Sequence, residues 1–237
     1  MPDPSSAALN DTLYQKIVKF INGLPKLASL EALRILPDSI VLGTAALSLI
    51  SLTKGYGVLL LSMLELMLIQ RIFASVVSGI APVGAGHDAF HESCQPGLAF
   101  SNSMRISLLE TVGKPSSFPS PVLFFMSGVL SYMISAVKNF SNEISSLGGD
   151  LNTRTTVSVV LSSFLLFSLL IFRYTYGCES FGTLFVSLIL GIIAGLVIVE
   201  QNKLIFGRAG INVLNLPMII KTGESGKSMY VCAPSLG

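Results

Sequence analysis

Residues 180–199 read SFGTLFVSLILGIIAGLVIV, with Glu179 before them and Glu200 after. Nothing in this run is charged, and its apolar residues are continuous rather than alternating. That pattern fits a helix surrounded by lipid, not a half-buried strand. At about 1.5 Å per residue, about 20 residues cross the roughly 30 Å of a bilayer's hydrocarbon core. Two other stretches read the same way: Pro121–Val137 (PVLFFMSGVLSYMISAV), closed by Lys138, and Thr155–Phe172 (TTVSVVLSSFLLFSLLIF), set between Arg154 and Arg173. The 237-residue composition agrees. It is 51% hydrophobic and 12% charged, with a mean hydropathy of +0.72, against roughly 25% charged in an average soluble domain. So little charge excludes a disordered or polyanion-binding chain, and a net charge of +2 is too small to imply a nucleic-acid partner. The sequence therefore describes an all-α integral membrane helical bundle whose first partner is the lipid bilayer.

The region from Ser39 to Ile69 is ambiguous. It is interrupted by Lys54-Gly55-Tyr56-Gly57 and carries Glu65. As one straight helix it exceeds the hydrocarbon thickness, so it either crosses once with an interfacial remainder or turns as a hairpin at Lys54. A single crossing gathers Lys16, Lys19, Lys26, Arg34, Lys138, Arg154, Lys203, Arg208, Lys221 and Lys227 on one side, against Arg105, Lys114 and Arg173 on the other. The positive-inside rule then favours four spans with both termini cytoplasmic. This divides the chain into an N-terminal segment (1–38), a transmembrane domain (39–200) with an extramembrane loop at 78–120, and an extramembrane tail (201–237). The opening MPDPSSAALND lacks the apolar core of a secretory signal. Ile17, Phe20, Ile21 and Leu24 then make a helical stripe after a Thr12–Gln15 capping box. It is either a membrane-surface helix or a short helix packed on the rest of the protein.

The 78–120 loop, rich in glycine and proline, is expected to hold a short helix around Met104–Val112, and Ser120-Pro121 is expected to cap the next span. The seven-residue connector Arg173–Glu179 makes the last two spans antiparallel neighbours, with Tyr174 and Tyr176 at the headgroup level. Helices in lipid pack through small residues. Ser127, Ser131 and Ser135 form one such stripe, Ser158 and Ser162 begin another, and Ser187, Gly191 and Gly195 form a third that contains a GxxxG match. These stripes serve packing within the bundle or self-association of copies.

Few groups offer chemistry. Glu65 is an acid within an apolar run, and with Lys54 it makes the intramembrane polar set on which a channel or transporter reading rests. His87, His91 and Cys94 have spacing that suits a metal on one helical face, but the glutamate that would complete HExxH follows the second histidine. Gly223-Glu224-Ser225-Gly226-Lys227-Ser228 resembles the end of a phosphate-binding loop but has Lys221 where the first glycine belongs. Phe118-Pro119-Ser120 lacks the histidine of a phosphatase motif. No catalytic residue and no cofactor is expected, and the chain reads as a non-enzyme. Cys94 and Cys178 lie on one side in either span count, and Cys232 lies on the other, so a Cys94–Cys178 disulfide is expected on an oxidising face. The sequons at Asn10 and Asn139 fall on the cytosolic side of this topology.

The segment Phe206-Gly207-Arg208, Asn212, Leu214 and Pro217, through Glu224-Ser225-Gly226-Lys227 to Tyr230-Val231-Cys232, follows Cys178-x-Ser180-Phe181-Gly182 and the last span. Together these residues resemble multi-pass membrane proteins of large double-stranded DNA viruses of algae and protists. The resemblance covers the last third of the chain. It implies a structural virion component in an internal membrane beneath a capsid layer, with no catalytic motif to carry over. The expected function is thus a structural membrane protein that binds copies of itself or other structural proteins through its tail and the 78–120 loop. The alternatives are a small channel or transporter using Glu65 and a metalloenzyme at His87, His91 and Cys94.

Overall fold

The computed structural model describes residues 31–80, 94, 97–101, 104–107, 109, 118–146, 149–216, 218–222 and 228–231. Its architecture is an all-α bundle of five helices long and apolar enough to cross a membrane. These are α1 (Glu31–Ser51), α2 (Lys54–Ile80), α3 (Pro121–Lys138), α5 (Gly149–Thr175) and α6 (Phe181–Gly210), with a short α4 (Ser141–Ser146) between α3 and α5. Two small antiparallel hairpins lie outside the helices: β1 (Leu98–Ser101) with β2 (Met104–Ile106), and β3 (Met218–Thr222) with β4 (Ser228–Val231). The helix expected around Met104–Val112 is replaced at its start by β2. β1 and β2 pair antiparallel from Leu98 opposite Ile106 to Ser101 opposite Met104.

The ambiguous region forms two helices, one more than the four-span reading counts. The break is at Leu52-Thr53, where Leu52 takes a left-handed φ of 49° and ends α1. Ser51 Oγ caps from the inside, donating to the Leu47 carbonyl at 2.5 Å. Across the break Ser48 lies beside Gly57. At the other end of α1, the Arg34 carbonyl accepts from Gly97 N at 3.4 Å and Asp38 Oδ1 accepts from Leu109 N at 3.1 Å. α1 therefore runs antiparallel to α2. Gly55, read from sequence as the breaker, sits in the first turn of α2, where a Cβ would collide with the carbonyl of Asn212. Its smallness serves close approach of the segment after α6, not a bend.

The remaining boundaries follow the apolar runs. Pro121 opens α3 and Lys138 closes it. Ser180 N-caps α6, accepting from Thr183 N at 3.3 Å. α6 passes the expected limit at residue 200 and bends at Gly207, whose φ of 70° only glycine adopts readily. α1 likewise starts before residue 39. The core gathers Met63, Leu66 and Met67 of α2, Leu123, Phe124, Phe125 and Tyr132 of α3, and Leu184, Ile198 and Val199 of α6, with Val41 of α1 and Leu169 of α5 at its edges.

α3 packs against α6 far more than against any other element, and the two run parallel. α5 returns the chain between them on the outside, leaning on α3 more than on α6. The end of the bundle with the α5–α6 turn holds the start of α3, while the end with the α1–α2 turn holds α4 and the last turn of α6. α1 runs toward the second of these ends, and α6 finishes there. Residues 31 and 210 consequently lie toward opposite ends of the bundle. The N-terminal amphipathic stripe, and the termini themselves, lie outside the described residues.

Candidate functional site

The most developed feature of the bundle is the seam between α3 and α6. On α6 the buried residues Leu184, Ser187, Gly191, Gly195, Ile198 and Asn202 recur at three- and four-residue steps and form one continuous face. Ser127 and Ser131 of α3 are buried against it. A Cβ on Gly191 would collide with Ser127 Oγ and the Phe124 carbonyl, and one on Gly195 with the Gly128 carbonyl and Ser131 Oγ. Backbone thus meets backbone, the contact that small residues permit in lipid. The hydroxyls are satisfied on site. Ser131 Oγ shares its proton between the Gly128 carbonyl at 3.0 Å and the Ile192 carbonyl of α6 at 3.1 Å. Ser187 Oγ donates to the Thr183 carbonyl at 2.6 Å and accepts from Ser120 N at 2.7 Å. Ser135 is only half-buried, one turn past the tight part, and its carbonyl accepts from Asn139 Nδ2 at 2.9 Å. The α3 and α6 stripes are occupied by each other and so are closed to a second copy. Ser158, exposed, and Ser162, half-buried, belong to the outward-facing α5.

Where α2 crosses the seam, three helices share a polar node. Asn202 Nδ2 donates to Ser62 Oγ at 2.7 Å, and Ser62 Oγ donates to the Val58 carbonyl at 2.7 Å. The Tyr132 hydroxyl is fully buried beside this pair without a well-formed hydrogen bond among the described residues. One turn along α2, Glu65 Oε1 accepts from Gln201 Nε2 of α6 at 2.8 Å. Glu65 therefore pairs with a neighbouring helix, next to the Glu200–Lys203 ion pair at 3.3 Å. Lys54 is exposed at the very start of α2 and not inside a span, because the break falls just before it.

Each end of the bundle carries a charged fastening. At one end Arg173 forms a fork on Glu179, Nε to Oε2 at 2.8 Å and Nη2 to Oε1 at 2.5 Å, and its Nη1 donates to the Cys94 carbonyl at 3.2 Å. Ser120 Oγ also donates to Glu179 Oε1, at 2.8 Å, and makes no cap bond to α3. Beside this group Cys94 and Cys178 form a disulfide across 84 residues of sequence, with Cα atoms 5.4 Å apart. At the other end Arg208 donates to Glu143 Oε1 at 2.9 Å and to the Asn139 carbonyl at 2.7 Å, and its guanidinium lies 5.1 Å from the centre of the Phe140 ring.

The disulfide removes Cys94 from any thiolate ligand set, so the His87, His91 and Cys94 metal reading loses its third ligand. His87 and His91 themselves lie outside the described residues, and no metal-ligand cluster occurs among those described. Ser62, Tyr132 and Asn202 were not singled out from sequence. The signal for Asn202 was present: it continues the step pattern Ser187, Gly191, Gly195 beyond the last apolar residue. For Ser62 and Tyr132 nothing in the spacing marks them as partners. No protein-family model, curated protein or solved structure matches the chain.

Proposed function

We propose that this chain is a structural multi-pass membrane protein, a rigid anchor that presents the loop around residues 94–120 on one side of a bilayer and the tail beyond Gly210 on the other. The observation that carries the reading is the α3–α6 seam, whose small and polar residues are spent on helix contact rather than on lining a path. Disulfides persist in oxidising compartments, so the Cys94–Cys178 end faces a lumen or exterior. Lys54, Lys138 and Arg208, with Lys221 of the tail, then fall on the opposite face, as the positive-inside rule favours. The finer reading, a virion component tying an internal membrane to a capsid layer, draws on the resemblance of the last third of the chain. Crosslinking from the β3–β4 hairpin in native membranes tests it. Abundant crosslinks to a protein layer support the reading, and a tail that touches no protein overturns it.

The channel or transporter alternative draws on Glu65 and the polar node one turn away. Its test is ion flux in liposomes. The structural reading expects Glu65→Gln to match wild type, whereas flux that Glu65→Gln abolishes would establish the alternative.

A further inference from the structure

Arg173 connects what the disulfide connects. Its guanidinium grips Glu179, the residue after Cys178, with two nitrogens and the Cys94 carbonyl with the third. Its own carbonyl accepts from Cys178 N at 3.0 Å. Both side chains of the ion pair are mostly shielded, at 7% and 14% exposure, so water competes weakly for these bonds. Glu179 also takes the Ser120 hydroxyl, so that the loop, the start of α3 and the α5–α6 turn meet at a single ion pair.

We propose that the Arg173–Glu179 pair seats Cys94 against Cys178 independently of the covalent bond, so that oxidation locks a loop already docked. Closing the bond requires two thiols far apart in sequence to meet. A charge-assisted hydrogen bond to the backbone of one, anchored beside the other, raises their effective concentration. The chemistry is thiol–disulfide exchange with a small disulfide such as glutathione disulfide. One cysteine thiolate displaces a glutathione thiolate to give the mixed disulfide, and the second cysteine displaces the other. The protein loses two electrons and two protons, and the glutathione disulfide gains them.

The test uses the full chain in detergent on a Cys232→Ser background, reduced and then equilibrated in graded glutathione buffers, with the bonded fraction read by maleimide gel shift. Arg173→Gln should need about tenfold more oxidising buffer to reach half-bonding, the loss of one charge-assisted hydrogen bond. Arg173→Lys, which keeps the charge without the fork, should fall between, and Lys203→Gln on the exposed side of α6 should match wild type. Arg173→Gln bonding at the wild-type midpoint overturns the proposal. Amide exchange on the unmutated fold decides independently of whether that variant folds. On reduction the Gly97 and Ser120 amides should keep their protection to within about threefold, and a loss beyond about a hundredfold shows that the bond alone held the loop.

Discussion

Gly195→Ala tests the seam most directly. The added methyl meets the Gly128 carbonyl and Ser131 Oγ. The hydroxyl can rotate away, but the carbonyl is backbone, so α3 and α6 must move apart. Overpacking of this kind costs about 1–3 kcal/mol, while alanine in place of glycine returns about 1 kcal/mol of helix propensity. Gly43→Ala on α1 is the matched control, since a Cβ there meets nothing within 4 Å and only the propensity gain acts. Subtracting the two variants removes propensity and leaves the collision, an expected difference of about 1–3 kcal/mol or roughly a fivefold to 150-fold change in the unfolding constant. The chain has no tryptophan, so unfolding is best followed by far-UV circular dichroism as the SDS mole fraction rises in mixed micelles. Gly195→Ala unfolding at the same SDS fraction as Gly43→Ala would refute close backbone contact at this position.

Asn202→Ala should destabilise the bundle by about 0.5–2 kcal/mol, the span measured for single interhelical hydrogen bonds in membranes, in the same SDS titration. Gln201→Ala should cost less than Asn202→Ala, because the Glu65–Gln201 bond is exposed and the Ser62–Asn202 bond is buried. Arg208→Ala removes the cation that pairs with the Glu143 carboxylate at 2.9 Å, a group only 2% exposed. Arg208 is itself 46% exposed, so the loss should be about 1–2 kcal/mol, below the usual cost of breaking a fully buried pair. Faster amide exchange at Ile144 would register the loosening of α4. Denatured but unreduced protein should take up one alkylating group, at Cys232, and all three cysteines should label after reduction.

The three spans bounded by charge were legible because lipid demands unbroken apolar runs: the structure keeps Pro121 as the start of α3, extends α5 by six residues at its start and three at its end, and carries α6 eleven residues past Val199. The α1–α2 turn was legible only as one of two alternatives, the hairpin at Lys54. Its pivot is Leu52, a residue with no turn-forming character, while the glycines that resemble a break at Gly55 and Gly57 sit in a helix. Charge balance then favoured one crossing too few, and Arg71, on the exposed side of α2, was left out of the count. The seam was half legible. Serine and glycine spacing marked the packing faces of α3 and α6, but chain order suggested α5 and α6 as the close pair. The parallel α3–α6 match depends on backbone proximity that no linear spacing encodes.

That parallel match also imposes an order on biosynthesis. The notched face of α3 cannot meet its complement until the ribosome has made α5 and then the whole of α6, which ends 72 residues beyond Lys138. At about 5–20 residues per second, this is a wait of several seconds. During that interval the serines of α3 lie open to lipid or to the insertion machinery, and α5 is the only later span at hand to shelter them.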